Sequence, residues 1–445
     1  ALLRRGAAVT VIDRRASAAT ERLAAAGARI VLADTPPADL FAGVREVVVS
    51  PGFAPHHPVA AAALAAGLEV YSEPELAWRL RAPDAPPWLA VTGTNGKTTV
   101  TTMLAAILAA AGHKVAAAGN LGEPLVDLAD GYDVLAVELS SFQLYWSRRL
   151  APTVGVMLNL ADDHLEWHGG FAAYAEAKTA IWRAAAAGDG VAVGNADDPG
   201  VAERLSGVPG RRVSFTLGPP EPGQLGVVDG TLVDRAFGEA AAELLAAAEV
   251  RPGGEHNVAN ALAAAALARA YGVPPAAVRD GLVGYRPEPH RNAVVAEVAG
   301  VTYVDDSKAT NPHAALASLR SYPRVVWVAG GQLKGVDVGD LVRTVAPRLT
   351  GAVLLGVDRA QIARELARHA PSLPVVEVAA TDDGAMVEVV RAAARLAAPG
   401  DTMLLAPAAA SKDMFTGYDH RGEAFAAAVA ELARRVDGAA KGGPR

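Results

Sequence analysis

The stretch Gly93-Thr94-Asn95-Gly96-Lys97-Thr98-Thr99 constrains this chain more than any other. It follows a short apolar run, 88–91, and precedes a helical pattern over 100–111, so it predicts a strand, a tight turn and a helix in succession. That order suits an α/β sheet. Glycines let backbone N–H groups turn toward a phosphate chain, and the helix start adds about half a positive charge. Lys97 can then reach the outer phosphates and the Thr98 hydroxyl can ligate Mg²⁺. A site for ATP is the expectation. The usual phosphate-loop pattern has four residues between its glycines, whereas Gly93 and Gly96 enclose two, so this is a variant form. A Gly-Thr turn without a ligand leaves unexplained a lysine followed by two hydroxyls at a helix start.

At 445 residues the chain exceeds one ordinary core, and three domains are expected. A formal charge of −7 argues against a general nucleic-acid or membrane-surface binder, while leaving room for a local basic pocket. No stretch reaches the roughly 18 uninterrupted apolar residues of a membrane span. The absence of cysteine excludes disulfides, thiolate metal sites and a cysteine nucleophile. The chain opens at Ala1 with neither an initiator Met nor a signal-peptide pattern, so a cytoplasmic address is expected. Of 41 basic residues only seven are lysine: Lys97, Lys114, Lys178, Lys308, Lys334, Lys412 and Lys441. One reason to retain lysine in an arginine-rich chain is a need for a compact ammonium, or for an amine that can change charge state. Chance retention is the simpler account for Lys114, near a turn, and for Lys441, in the polar tail.

Residues 1–84 alternate short apolar strands (9–12, 30–32, 47–49, 69–71) with Ala-rich helices, an α/β pattern. The first recognisable strand ends at Asp13-Arg14-Arg15 and residues 2–6 read as a helix tail. The expected initial strand and Gly-rich turn would therefore lie upstream of Ala1, making this domain truncated at its start. A Pro-rich stretch at 83–87 marks a boundary. Residues 85–287 form a second α/β unit, with strands near 134–137, 154–157 and 191–193, a β-rich excursion over 207–234 and a helix opening near His256. From 288 to 445 the βα alternation restarts, with strands at 301–304, 325–329, 352–355, 375–378 and 403–406, before a polar tail after Val436 that is expected to fray.

Several polar clusters follow predicted strands, where α/β sheets bind ligands. Glu138-Leu139-Ser140-Ser141-Phe142-Gln143 offers a Mg²⁺ carboxylate in Glu138, against the simpler reading of a surface Ser-Ser turn. Asn120, after a strand over 114–118, can present an amide to substrate or phosphate. The stretch from Asn159 to His168, with Phe171, Tyr174 and Lys178 beyond it at helical spacing, is a second metal candidate. Mg²⁺ prefers oxygen, and a lysine supplies oxygen only as a CO₂-derived carbamate, which requires a neutral amine near cations. Read alone, Lys178 is a solvated helix residue. Asn257 and Asn260 stand three apart on one helix face and can read an adenine edge, or simply belong to a capped helix. Pro289-His290-Arg291 and Asp305-Asp306-Ser307-Lys308-Ala309-Thr310-Asn311-Pro312 are denser in polar groups than folding needs. Arg291 can clamp a phosphoryl group, an aspartate can hold ribose hydroxyls, and Lys308 with Thr310 can receive carboxylates. Gly330-Gly331-Gln332-Leu333-Lys334 and Ser411-Lys412-Asp413 follow other strands of the same sheet, and together these read as an anion pocket.

Together these stretches resemble the Mur ligases over essentially the whole chain. The shared motifs are 93–99, Glu138 with Ser140-Ser141, His164, Lys178 and 256–260. His290-Arg291 with 306–311 points to the members that add D-glutamate. Nothing looks like the Asp-Asn-Pro-Arg stretch of the diaminopimelate-adding relatives, or the His-rich third-domain opening of the alanine-adding ones. The resemblance implies an α/β fold of three domains: an N-terminal Rossmann-like one for a uridine nucleotide, a central P-loop ATPase and a C-terminal Rossmann-like one for the incoming amino acid. It implies ATP-dependent amide ligation of D-glutamate to UDP-N-acetylmuramoyl-L-alanine by a monomer. Thr98 and Glu138 would bind one Mg²⁺, and His164 with carbamylated Lys178 a second. The loop residues Gly93, Thr94, Asn95, Gly96, Lys97, Thr98 and Thr99, with Asn257, Asn260, Arg291 and Asp306, would bind ATP. Asn120, Ser140, Ser141, Gln143 and His164 would lie near the muramoyl substrate, and Asp13, Arg15 and Gly52 would remain of the uridine-diphosphate pocket. Lys308, Thr310, Lys334, Ser411 and Tyr418 would hold D-glutamate, Tyr418 standing where phenylalanine is also familiar.

Two other readings compete with this one. An amide ligase of the same scaffold that adds another amino acid would differ at Lys308, Lys334 and Ser411. A nucleotide-switched binding module would close on ATP yet release no phosphate with any substrate.

Overall fold

The computed structural model describes residues 1–128, 130–287, 289–380 and 384–441. Its backbone divides into two compact units, one of residues 1–247 with 259–284 and the other of 248–258 with 285–445. The expected boundary at 287/288 falls beside residue 288, which lies outside the described residues.

In the first unit the N-terminal strands are β1 (Thr10–Asp13), β2 (Arg29–Leu32), β3 (Glu46–Val49) and β4 (Glu69–Ser72). They pair as two separate parallel ladders, β1 with β2 and β3 with β4. Residues 2–6, expected as a helix tail, form only a 3₁₀ turn, Leu3–Arg5, ended by Gly6 in the left-handed region.

The main sheet of this unit contains β5 (Trp88–Thr92), β6 (Val115–Gly119), β7 (Val134–Glu138), β8 (Val154–Met157) and β9 (Val191–Asn195), followed by β10 (Arg211–Phe215), β11 (Gln224–Val228), β12 (Thr231–Asp234) and β13 (Ala242–Ala246). Their order is β13-β12-β11-β10-β9-β8-β5-β7-β6. All five positions of β5 and of β7 are buried, as expected for parallel strands covered on both faces. The expected β-rich excursion is a four-strand extension of this same sheet. It begins parallel, β10 on β9, and turns antiparallel at the β11–β12 hairpin. The chain leaves β5 for the far edge, returns through β7, then crosses β5 to build β8. Strand order therefore reverses at β5, and the carboxyl ends of strands at such a reversal are where this sheet type receives ligands.

The second unit holds β14 (Ala293–Val298), β15 (Val301–Asp305), β16 (Val325–Gly330), β17 (Leu349–Leu355), β18 (Val375–Glu377) and β19 (Thr402–Leu405), in the order β14-β15-β19-β16-β17-β18. Only β14 is antiparallel. Trp327, Leu354 and Leu404 pack on one face of this sheet and Val328, Val353 and Leu405 on the other, the alternation that sandwiches a sheet between helix layers. The tail that was expected to fray after Val436 continues the helix Tyr418–Lys441. The residues from 442 lie outside the described ones.

Candidate active site

The phosphate loop emerges from β5 and ends in the helix Lys97–Ala110. Gly96 adopts φ 84°, and a Cβ there would stand 2.5 Å from Asn260 Oδ1, so any side chain would strain the turn and strike the asparagine. Asn159, at the end of β8, grips the loop from both sides: its Oδ1 accepts from Asn95 N at 2.8 Å and its Nδ2 donates to Asn95 O at 3.2 Å. Thr94 Oγ1 lies 2.7 Å from Tyr174 Oη and accepts from Ala161 N at 3.0 Å. The Lys97 ammonium donates to Gly93 O and Thr94 O, both at 2.9 Å. Thr98 is half-buried at the first turn and Thr99 is buried.

Lys178 is not the solvated residue that helical spacing alone suggests, because it is 1% exposed. Its Nζ donates to Gly93 O at 2.9 Å and to Thr92 Oγ1 at 3.4 Å, on the strand side of the loop. Burial drives its pKa well below the ordinary lysine value; the Lys97 charge adds to this, and Asp163 and Glu138 oppose it.

Glu138 ends β7 beside Val91 of β5 and is 2% exposed. Asn120 Nδ2 donates to its Oε1 at 2.8 Å, while its Oε2 is buried without a protein partner. An orphaned buried carboxylate oxygen suits a cation. Asn120, expected to face substrate, thus also orients Glu138. Ser140 and Gln143 form a reciprocal capping box on the helix Ser141–Tyr145, so their side chains hold that helix start. Ser141 is no surface turn: it is 3% exposed and its Oγ lies 3.0 Å from His168 Nε2. His168 is held down to about 4 by burial, with the His164 and Lys178 charges adding to the effect. His164 itself caps the short helix Leu165–His168 at φ 54°, its ring 4.5 Å from that of Phe142 and its Nε2 3.4 Å from Asp163 Oδ2. Among the described residues, no three His, Asp or Glu gather as a metal cluster.

Asp13 ends β1, and Gly52 lies in the loop after β3. Asp13 Oδ1 accepts from Arg14 N at 2.6 Å, Arg15 is exposed, and Gly52 O accepts from the Trp167 indole at 3.0 Å. Asn257 and Asn260 are both buried; Asn257 Nδ2 donates to Gly253 O at 3.1 Å.

In the second unit the loops after β15, β16 and β19 come together. The Lys308 ammonium lies 3.6 Å from the Tyr418 ring centroid, a cation–π contact, and Ser307 Oγ donates to Tyr418 O at 2.7 Å. His290 Nδ1 meets Asp305 Oδ2 at 2.6 Å. Asn292 N donates to Asp306 Oδ1 at 3.1 Å, and burial lifts the Asp306 pKa to about 6 against the nearby Arg291 charge. Gln332 and Ala410 exchange backbone hydrogen bonds, which sets the Lys334 loop beside Ser411. Thr310 is half-buried in the loop after β15.

Sequence reasoning placed Asn159, His168 and Tyr174 in a stretch read as a metal candidate, without the structural parts they play, and assigned nothing to Arg421. Arg421 is 1% exposed and donates to Ser307 O at 2.8 Å, Ser307 Oγ at 3.0 Å and Ala409 O at 3.1 Å, joining two of the candidate loops from beneath. The first three lie in the stretch between β8 and Lys178, where position after a strand was the available signal. Nothing local marks Arg421.

A Mur ligase middle domain matches residues 91–268, and a Mur ligase glutamate ligase domain matches residues 290–409. The chain belongs to the Mur ligase family. Among Mur ligases it is 55% identical to a Thermobifida fusca protein, over 97% of this chain and 95% of that one, and 53% identical to one of Streptomyces avermitilis, over 96% and 94%. Both relatives are named UDP-N-acetylmuramoylalanine--D-glutamate ligase. Solved Mur ligases share the fold at low identity. The alanine ligase MurC of Thermotoga maritima has a TM-score of 0.59 at 19% identity, over 96% of this chain and 95% of that one. MurF of Acinetobacter baumannii has a TM-score of 0.61 at 20% identity, over 97% and 92%. Mur ligases use ATP and Mg²⁺, and the phosphate loop with the orphaned Glu138 oxygen fits both. Among the described residues no helix is long and apolar enough to cross a membrane.

Proposed function

We propose that this chain joins D-glutamate to UDP-N-acetylmuramoyl-L-alanine at the expense of ATP, a cytoplasmic step in making peptidoglycan precursors, and does so as a monomer. The observation that carries this reading is the convergence of Lys97 and Lys178 on one phosphate loop, in a chain 55% identical to a named D-glutamate ligase along nearly its whole length.

The terminal carboxylate of the muramoyl substrate attacks the γ-phosphorus of ATP. The bond to the departing ADP breaks and an acyl phosphate forms. The D-glutamate amine then attacks the acyl carbon, loses a proton and expels inorganic phosphate, leaving an amide. Two anions meet in the first step, so positioning and positive charge carry most of the catalysis. Loop N–H groups, Lys97 and Arg291 supply that charge, and the loop geometry fixed by Asn159 and Thr94 supplies the positioning. Mg²⁺, when bound, neutralises phosphate charge and polarises the γ-phosphoryl group. Thr98 and Glu138 are assigned to one ion, and His164 with Lys178 as its carbamate to a second. A depressed lysine pKa supports the carbamate, because CO₂ adds to a neutral amine with loss of one proton.

Asn257, Asn260 and Asp306 are assigned to the nucleoside of ATP, and Asn120, Ser140, Ser141, Gln143 and His164 to the muramoyl end. Asp13, Arg15 and Gly52 of a uridine-nucleotide domain over 1–84 take the other end of that substrate. The ATPase domain spans 85–287. Residues 288–445 bind the amino acid, through Lys308, Thr310, Lys334, Ser411 and Tyr418.

The test is phosphate release with ATP, Mg²⁺ and UDP-N-acetylmuramoyl-L-alanine, comparing D-glutamate with L-glutamate, L-lysine and diaminopimelate. Release with D-glutamate alone is expected. Release with a different amine would keep the chemistry and overturn the pocket, and ATP binding without release under any combination would indicate a switch.

A further inference from the structure

Lys334 has an uncommon backbone for a side chain of its type, φ 55°, followed by Gly335 at φ 77°. A non-glycine residue in the left-handed region stays there only when its neighbours over-determine it. Two anchors act on the residue before it. The Leu333 side chain is 3% exposed in the core between the sheet and its helices, and the Leu333 N–H donates to Asp358 Oδ2 at 2.7 Å. Asp358 in turn donates its own N–H to Gly331 O at 3.1 Å, and its Oδ1 accepts from Gln361 Nε2 at 2.9 Å. Val357, its neighbour, donates N–H to Asp413 Oδ2 at 2.9 Å, and Asp413 stands two residues after Ser411. The loops after β16, β17 and β19 are thus tied in sequence by two carboxylates. The loops after β16 and β17 meet closely: a Cβ on Gly356 would lie 2.6 Å from Gly331 Cα.

We infer that Asp358 is a positioning residue for recognition of the amino acid's carboxylate: through the Leu333 amide it holds Lys334 in its left-handed conformation, at a fixed offset from Ser411. Asp358 need not touch substrate for this. The inference rests on the assignment of Lys334 to the amino-acid pocket.

Steady-state kinetics of Asp358→Ala, Lys334→Ala and the double variant test it. Asp358→Ala is expected to raise KM for D-glutamate about tenfold or more, the size of a lost charge-assisted hydrogen bond, with KM for ATP and for the uridine substrate within about twofold. Asp358→Asn keeps an acceptor oxygen and restores KM to within about threefold of the parent. Adding Asp358→Ala to Lys334→Ala causes little further rise, because the two act as one unit. Full additivity, or an equal rise in all three KM values, overturns the positioning role. An unchanged D-glutamate KM in Lys334→Ala instead overturns the pocket assignment beneath it. Should Asp358→Ala not fold, Asp358→Glu replaces it: the charge is kept, the acceptor moves by one methylene, and the same selective rise is expected.

Discussion

Lys178 and His168 are both buried, in different surroundings: Lys178 against the phosphate loop, His168 against Ser141 and the rings of Phe142 and Trp167. A lysine amine buried against Gly93 O loses hydration that no carboxylate fully replaces, so its neutral form is favoured. Replacing it with alanine should cost about a hundredfold or more in turnover, with part of the loss restored by a small added carboxylate such as formate or acetate. Unchanged turnover in Lys178→Ala would remove it from the metal site. His168 titrates near 4 in the fold and near 6.5 when unfolded, so between these values the unfolded chain binds the extra proton. Stability from this residue is present above pH 6.5 and is lost as pH falls toward 4. His168→Gln should therefore flatten the acid side of the stability curve by up to about 1.4 kcal/mol per pH unit across that window, read as the difference in urea unfolding between variant and parent. Parallel curves for the two proteins would place His168 outside the acid sensitivity. Neither burial was visible beforehand. Lys178 stands on a helix whose pattern is compatible with solvent, and only the packing of that helix against the helix Ser141–Tyr145, with the bonds to Thr92 and Gly93, turns the side chain inward.

At the scale of elements, the short helix Leu165–His168 links the candidate metal residue His164 to the loop after β3. The Trp167 indole N–H reaches Gly52 O at 3.0 Å, and the Trp146 indole reaches Phe53 O at 2.9 Å. Two tryptophans from the short helices that follow β7 and β8 thereby hold the loop assigned to the uridine substrate. Trp167→Phe keeps the ring packing against Phe142 and Tyr145 but removes the donor. A few-fold rise in KM for the uridine substrate is expected, with KM for ATP unchanged; a rise in the ATP constant alone would contradict this link. Most strands were legible because buried parallel strands are runs of Val, Leu and Ala ended by polar clusters, and β5, β7 and β8 lie within a residue of their expected ends. Partner strands were not legible. The segment over 207–234 reads as β-rich, yet nothing local says that it extends the central sheet through Ala246.

For the whole molecule, sequence alone determined the α/β class, the ATP loop, the family, and the grouping of polar residues at strand ends. These depend on short-range periodicity and on turns whose glycines and hydroxyls are contiguous. It also reached Glu138, at the end of a recognisable strand, and Lys178, through the family resemblance. Tertiary structure alone decided which polar side chains hold one another: Asn120 on Glu138, Ser140 on Gln143, Asn159 on the phosphate loop, Asp358 on the Lys334 turn. The physical reason is range. A hydrogen bond between residues far apart in sequence depends on strand order and register, and these follow from packing the whole sheet rather than from the composition of any one segment.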